Sequence, residues 1–183
     1  MKKILVLPLL VLFVGFTSCS DDDSEDEVVV EETGAILSYE DVELKLIDSD
    51  SDEYGVAFSV TTGETYKQSE VSEENIAEID LISFANQAFI AFNSPDNDRD
   101  FEEIEGAKTT LIQMANVEMT AEEFDMIEDD TLLKDLTVVN DDESQPITYR
   151  DVVLFETAEG KIGAIKINLL NAERISIDVK VIK

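Results

Sequence analysis

The chain has 183 residues, with 43 Asp and Glu against 13 Lys and Arg, and a net charge of −30 at pH 7. It contains one cysteine, no histidine and no tryptophan. Ser-His-Asp and Cys-His catalysis, zinc sites built on His or Cys, and disulfides are thereby excluded, and the acidic balance disfavours nucleic acid and anionic headgroups, which need a basic footprint.

Residues 1–18 read as an export signal. Lys2 and Lys3 make a positive start, residues 4–16 are apolar except for Pro8 and Gly15, and Thr17 and Ser18 are small. The apolar run is too short to span a bilayer, and acids rather than a basic anchor follow it, so it is a cleaved signal. Cys19 comes directly after it. An exported chain seldom keeps one unpaired cysteine without a reason, which makes Cys19 the expected lipidation site. Each buried CH₂ of an acyl chain contributes about 0.8 kcal/mol, and stable anchoring takes more than one chain. Residues 19–32 hold eight acids, repel themselves and bury little, so a disordered acidic tether is expected there. No Gly/Ser linker divides residues 33–183, which read as a single β-rich domain large enough for its own core.

Within that domain, Val42, Leu44 and Leu46 alternate with Glu43 and Lys45, the period of a strand. Val56, Phe58 and Val60 repeat the pattern. Thr61-Thr62-Gly63-Glu64 is a turn into a short strand at Thr65-Tyr66-Lys67. A polar connection covers residues 69–75. Residues 79–84 carry apolar side chains on both faces, as in a strand covered on both sides. Residues 88–92 form another strand, ended by Asn93-Ser94-Pro95, and 96–105 is an acidic loop. Residues 109–116 suit strand or helix; the β-branched Thr109, Thr110 and Ile112 favour strand. Thr120 and Glu123 make a capping box for a helix reaching about Ile127, and Asp130 is placed to cap a second over 131–136. Three strands, 152–157, 162–170 and 175–182, form a C-terminal meander with turns at Glu159-Gly160 and Asn171-Ala172-Glu173. The predicted class is α+β, mainly β: an antiparallel sheet or sandwich with this meander and two short helices near 120–136. Phe58 and Gly63 have the spacing of Phe155 and Gly160, and an Ile-Asp pair follows each glycine at similar distance. An internal repeat and two hairpins with ordinary turn chemistry both account for this.

Phe16-Thr17-Ser18-Cys19 resembles the bacterial lipobox, with Phe16 in place of the usual Leu or Val. The acids behind Cys19 resemble the surface-export signal of Bacteroidota lipoproteins, which implies a lipid anchor in the outer membrane and display at the cell surface. Phe155-Glu156-Thr157-Ala158-Glu159-Gly160-Lys161, running into Gly163-Ala164-Ile165-Lys166, resembles uncharacterised Bacteroidota lipoproteins. That resemblance implies no activity.

Asp48, Asp50 and Asp52 place carboxylates at positions one, three and five, as a calcium loop begins. Glu53 stands where the sharp turn needs Gly, and Ser59 where a bidentate Glu belongs. A non-helical, weak calcium site and a solvated turn are the two readings; no cofactor is expected unless that turn takes calcium. Asp96, Asp98 and Asp100 repeat the start, with Phe101 and Ala107 at the critical places. The strand-rich layout is distantly similar to haem-capturing surface lipoproteins, which use His or Met ligands. Here only Met114, Met119 and Met126 are on hand, and methionine is mostly core filler. Paired carboxylates would suit a glycosidase, but so many acids form pairs by chance. Tyr39, Tyr54, Tyr66 and Tyr149 are the residues able to replace Trp in a carbohydrate platform. No catalytic residue is assigned. The expectation is a non-enzymatic binding or scaffolding protein, accessory to nutrient uptake. Its partners would be the membrane through Cys19 and a glycan or an outer-membrane protein, not nucleic acid. A carboxylate-based glycan hydrolase and a purely structural surface protein are the alternatives.

Overall fold

The computed structural model describes residues 30–33, 35–115, 118–141, 145–146 and 152–183. The export signal, Cys19 and most of the tether lie outside them. Twelve strands are assigned among these residues: β1 (Val30–Thr33), β2 (Ile36–Lys45), β3 (Ala57–Phe58), β4 (Thr65–Tyr66), β5 (Leu81–Ser83), β6 (Phe89–Ile90), β7 (Phe92–Asn93), β8 (Leu111–Gln113), β9 (Gln145–Pro146), β10 (Val152–Glu156), β11 (Ile162–Leu170) and β12 (Arg174–Ile182). One α-helix, α1 (Ala121–Asp125), and four 3-10 turns accompany them. The fold is α+β, mainly β, as its periodicities indicate. No helix among the described residues is long and apolar enough to cross a membrane.

A six-stranded antiparallel sheet runs β1-β2-β12-β11-β10-β8, a four-stranded one runs β4-β3-β5-β7, and β6 pairs with β9. The two larger sheets share one core. Leu44, Val153, Phe155, Ile177 and Val179 of the first sheet meet Phe58, Leu81 and Phe92 of the second there. The opposite face of the six-stranded sheet is also covered: Val152 and Leu154 pack with Phe124 and Ile127 of the α1 segment. The opposite face of the four-stranded sheet packs Ala57 and Ile82 against Ile76 and Phe101. Double coverage is why β10 reads as an unbroken apolar run rather than an alternation.

Helix α1 begins as its capping box predicts, with the Glu123 N–H donating to Thr120 Oγ1 (3.2 Å) and the Thr120 N–H donating to Glu123 Oε2 (2.8 Å). Polar residues of the meander hold it down. Lys180 Nζ donates to the carbonyls of Phe124 (3.1 Å) and Ile127 (3.0 Å), at the helix end where a cation is favoured. The Lys166 and Lys180 ammonium groups lie 5.2 and 5.1 Å from the Phe124 ring centre.

Several boundaries differ from those the sequence predicts. The expected disordered tether ends earlier: Val30–Thr33 pair with β2 from Val30 opposite Tyr39 to Thr33 opposite Ile36. The expected second helix is a single 3-10 turn over Asp130–Leu132, and Asp129 rather than Asp130 caps it, accepting from the Thr131 N–H at 2.8 Å. The strand over 88–92 splits at Ala91, because β6 and β7 pair with different partners. The 109–116 strand shortens to β8, whose outer edge is closed by side chains. Asn140 Oδ1 accepts from the Ile112 N–H (2.9 Å), and Asp141 accepts from those of Met114 (2.7 Å) and Ala115 (2.9 Å), a way of blunting an edge strand.

The apparent repeat is not a topological one. After the first hairpin the next strand, β5, pairs back with β3, whereas after the second, β12 pairs with β11. Shared turn chemistry explains the likeness, since Gly63 (φ +76°) and Gly160 (φ +79°) both take the left-handed conformation glycine tolerates.

Candidate functional site

A cleft of about 1130 Å³ opens between the end of the six-stranded sheet and the loops beside the four-stranded sheet. Four stretches wall it: the end of β2 with the loop after it (Lys45 to Val56), the turn after β4 (Lys67 to Glu70), the end of β5 (Ile82 to Phe84), and residues 98–101. Half-buried Val56 and Phe84 offer apolar surface. Three cations, Lys45, Lys67 and Arg99, face four acids, Asp52, Glu70, Asp98 and Asp100. For the whole chain the ratio is 13 to 43, so the cleft is close to locally neutral on a strongly acidic protein.

Tyr54, in the wall of the cleft, is held from the six-stranded sheet. Arg174, at the start of β12, donates from Nη1 to the Tyr54 hydroxyl at 2.7 Å and sits 5.0 Å from the ring centre. Glu43 of β2 holds Arg174 in turn, with Oε1 2.5 Å from Nε. The pairing of Arg174 with Lys45 brings these residues to one end of the six-stranded sheet. Burial raises the Tyr54 hydroxyl above its ordinary value near 10, with Arg174 opposing. The group therefore keeps its proton at neutral pH and is a donor.

The cleft acids have local structural tasks. Glu70 Oε2 accepts from the Lys67 N–H (2.8 Å), closing its own turn. Buried Asp98 accepts from Asn93 Nδ2 (2.9 Å) and the Asp100 N–H (3.0 Å). Asp52 lies 3.9 Å from Lys45, and Asp100 3.6 Å from Arg99.

The expected calcium residues are not gathered. Asp48, Asp50 and Asp52 are exposed on a loop whose backbone is tied by serines, with Ser49 Oγ accepting from the Ser51 N–H (3.1 Å) and Ser51 Oγ from that of Glu53 (3.2 Å). Among the described residues no three acidic side chains come close enough to hold a metal ion. Replacing chelator with millimolar calcium is expected to leave the melting temperature unchanged. A rise of several degrees would show a cation site in the folded state by mass action. Asp96 diverges from Asp98 and Asp100, accepting from Thr109 Oγ1 at 2.5 Å on a separate, smaller pocket. The methionines diverge too: Met114 is in the inter-sheet core, Met119 in the core under α1, and Met126 is 62% exposed.

Of the three tyrosines among the described residues, only Tyr54 lines the cleft. Tyr39 is core, its ring edge-on to Phe58 at 5.4 Å and its hydroxyl donating to the Val60 carbonyl at 2.7 Å. Tyr66 donates to Glu64 at 3.0 Å beside the core of the second sheet, and Tyr149 lies outside the described residues. Sequence reasoning missed Arg174 and Glu43. No local signal marks them, since Arg174 is 120 residues from Tyr54.

Buried Asp80, at the start of β5, is a second feature that no motif indicated. Its Oδ2 accepts from the Val60 N–H at 2.8 Å, and its Oδ1 faces Lys108 Nζ at 3.6 Å without a hydrogen bond. Lys108 also donates to Glu159 at 3.0 Å. Asp80 does not line the cleft, so the carboxyl that burial holds above the usual range is not where a glycan hydrolase would need its acid.

No protein-family model and no curated protein matches this chain. Among solved structures, its fold is similar to that of a DUF4466 family protein from Parabacteroides merdae, with a TM-score of 0.50 and 14% identity, over 81% of this chain and 54% of that one. At that identity the likeness concerns the fold alone. The chain spans about half the length of that Bacteroidota protein.

Proposed function

We propose that this chain is a non-enzymatic binding protein, held at the cell surface by a lipid on Cys19, that takes its ligand in the cleft beside Tyr54 and serves as an accessory to nutrient uptake. The observation that carries the binding reading is the cleft itself: a concave site of about 1130 Å³ with apolar residues in its walls, charged groups of both signs and a pre-positioned aromatic ring, features found in small-molecule sites. The lipobox-like Phe16-Thr17-Ser18-Cys19 and the acids behind it support the anchor. The structural tasks of Glu70 and Asp98 and the position of Asp80 outside the cleft favour binding over hydrolysis.

The test is a thermal-shift screen of the full chain in mild detergent against short peptides and neutral, acidic and basic oligosaccharides. A true ligand at about 100 times its Kd stabilises the fold by about 2.7 kcal/mol. Ser69→Trp, which fills the cleft from an exposed position, is expected to abolish the shift while leaving the unliganded melting temperature near that of the parent. A hit that survives Ser69→Trp overturns the placement in the cleft. Chromatographic detection of a turned-over ligand overturns the non-enzymatic reading.

A further inference from the structure

We infer that the ligand of this cleft is a neutral oligosaccharide, with Tyr54 as its stacking platform; this rests on the cleft being a binding site. Charge is the first argument. Against a net charge of −30, a polyanion is repelled on approach. Inside the cleft, an anion meets Asp52, Glu70, Asp98 and Asp100, and a cation meets Lys45, Lys67 and Arg99. A neutral, hydroxyl-rich ligand meets neither penalty. Each sugar hydroxyl both donates and accepts, so donors on Lys and Arg beside acceptors on Asp match it in a way they match no single-sign ligand.

Rigidity is the second argument. A sugar ring presents an apolar C–H face, which an aromatic side chain covers best. Tyr54 is held in place before any ligand arrives, through the Arg174 contact (5.0 Å to the ring centre, 2.7 Å to the hydroxyl) and the Glu43–Arg174 ion pair. Ordering the platform in advance removes a cost that binding would otherwise carry. Accepting from Arg174 leaves the phenolic proton to donate elsewhere. Half-buried Phe84 and Val56 add apolar surface elsewhere in the cleft.

The experiment is calorimetric titration of the full chain in detergent with length-matched neutral, uronic-acid and glucosamine oligosaccharides. Saturable binding of at least one neutral oligosaccharide is expected, with no binding of its acidic or basic counterpart. Tyr54→Ala is expected to weaken it about tenfold, the loss of one stacking contact. Tyr54→Phe keeps the ring and is expected to retain most of the affinity. Melting curves of both variants separate lost contact from lost fold. Binding confined to charged oligosaccharides or peptides overturns the inference, as does unchanged affinity in a folded Tyr54→Ala. If a peptide binds and Ser69→Trp blocks it, the cleft remains the binding site and the neutral-glycan inference alone falls.

Discussion

Lys108→Ala is expected to destabilise the protein by about 3–5 kcal/mol, because it leaves Asp80 as an uncompensated buried charge. Asp80 is 1% exposed, and its partner ammonium lies 3.6 Å away. The readout is the urea midpoint with an unchanged m-value. Adding Asp80→Asn is expected to restore most of the loss: the amide oxygen still accepts the Val60 N–H, and no charge remains to be compensated.

The pH dependence follows from two carboxyls that Lys108 serves. Burial raises Asp80 above its ordinary value of 3.8, with the Val60 N–H and Lys108 opposing. A carboxyl raised in the folded state contributes its full stability when protonated, below about pH 4, and loses it as pH climbs through the folded value. Without Lys108 that loss deepens. Glu159 shifts the other way, lowered from 4.5 chiefly by the hydrogen bond from Lys108. Its contribution is present above that value and lost as pH falls, and the variant lacks it. Both effects make the deficit of Lys108→Ala largest at neutral pH and smaller in acid. A deficit constant across pH, or no rescue by Asp80→Asn, would refute this account.

Gly163→Ala is expected to cost about 1–3 kcal/mol, the range for overpacking a filled core. The reason is space rather than backbone freedom. Gly163 stands directly opposite Phe155 in the β10–β11 ladder, and a Cβ there would sit 2.2 Å from the edge of the Phe155 ring. That ring is fully buried between the sheets and has nowhere to retreat. Gly63→Ala adds strain to the same defect: its φ is +76°, and the new Cβ falls 2.5 Å from the Tyr39 ring. Gly160 separates the two causes, with φ +79° and nothing within 4 Å. Its Ala variant is expected to show only the left-handed backbone cost, about 1–2 kcal/mol. A double variant, Gly163→Ala with Phe155→Leu, is expected to lose less than the sum of its parts, since the two side chains contend for one volume. Additivity in urea melts would show that the ring is not the obstacle.

The features legible in the chain are those that repeat locally. Ile175, Ile177, Val179 and Val181 alternate with polar residues and all face the inter-sheet core. Thr120 and Glu123 mark the start of α1 three residues apart. These follow from the period of a strand and the geometry of a cap, which need no distant partner. β2 shows where that logic stops. Its inward residues are Tyr39, then Val42 and Leu44, and the phase slips because Glu40 and Asp41 together oppose Asp178 while Asp41 takes φ +53°. Such a bulge turns the side chains of 36–39 against the alternation predicted downstream. It is stabilised from afar, by the Asp41 N–H donating to the Asp178 carboxylate at 3.0 Å.

By itself, then, the sequence determined the β-rich class, the C-terminal meander, the capped helix and the exclusion of His-dependent catalysis and of disulfides within the chain, because composition and short-range periodicity suffice for each. Tertiary structure alone decided that Val30–Thr33 joins the sheet, that buried Asp80 faces Lys108, and that Tyr54 meets Arg174 beside a near-neutral cleft. Those outcomes depend on which distant strands pair and in what register, and a pairing partner leaves no trace in the local pattern it completes.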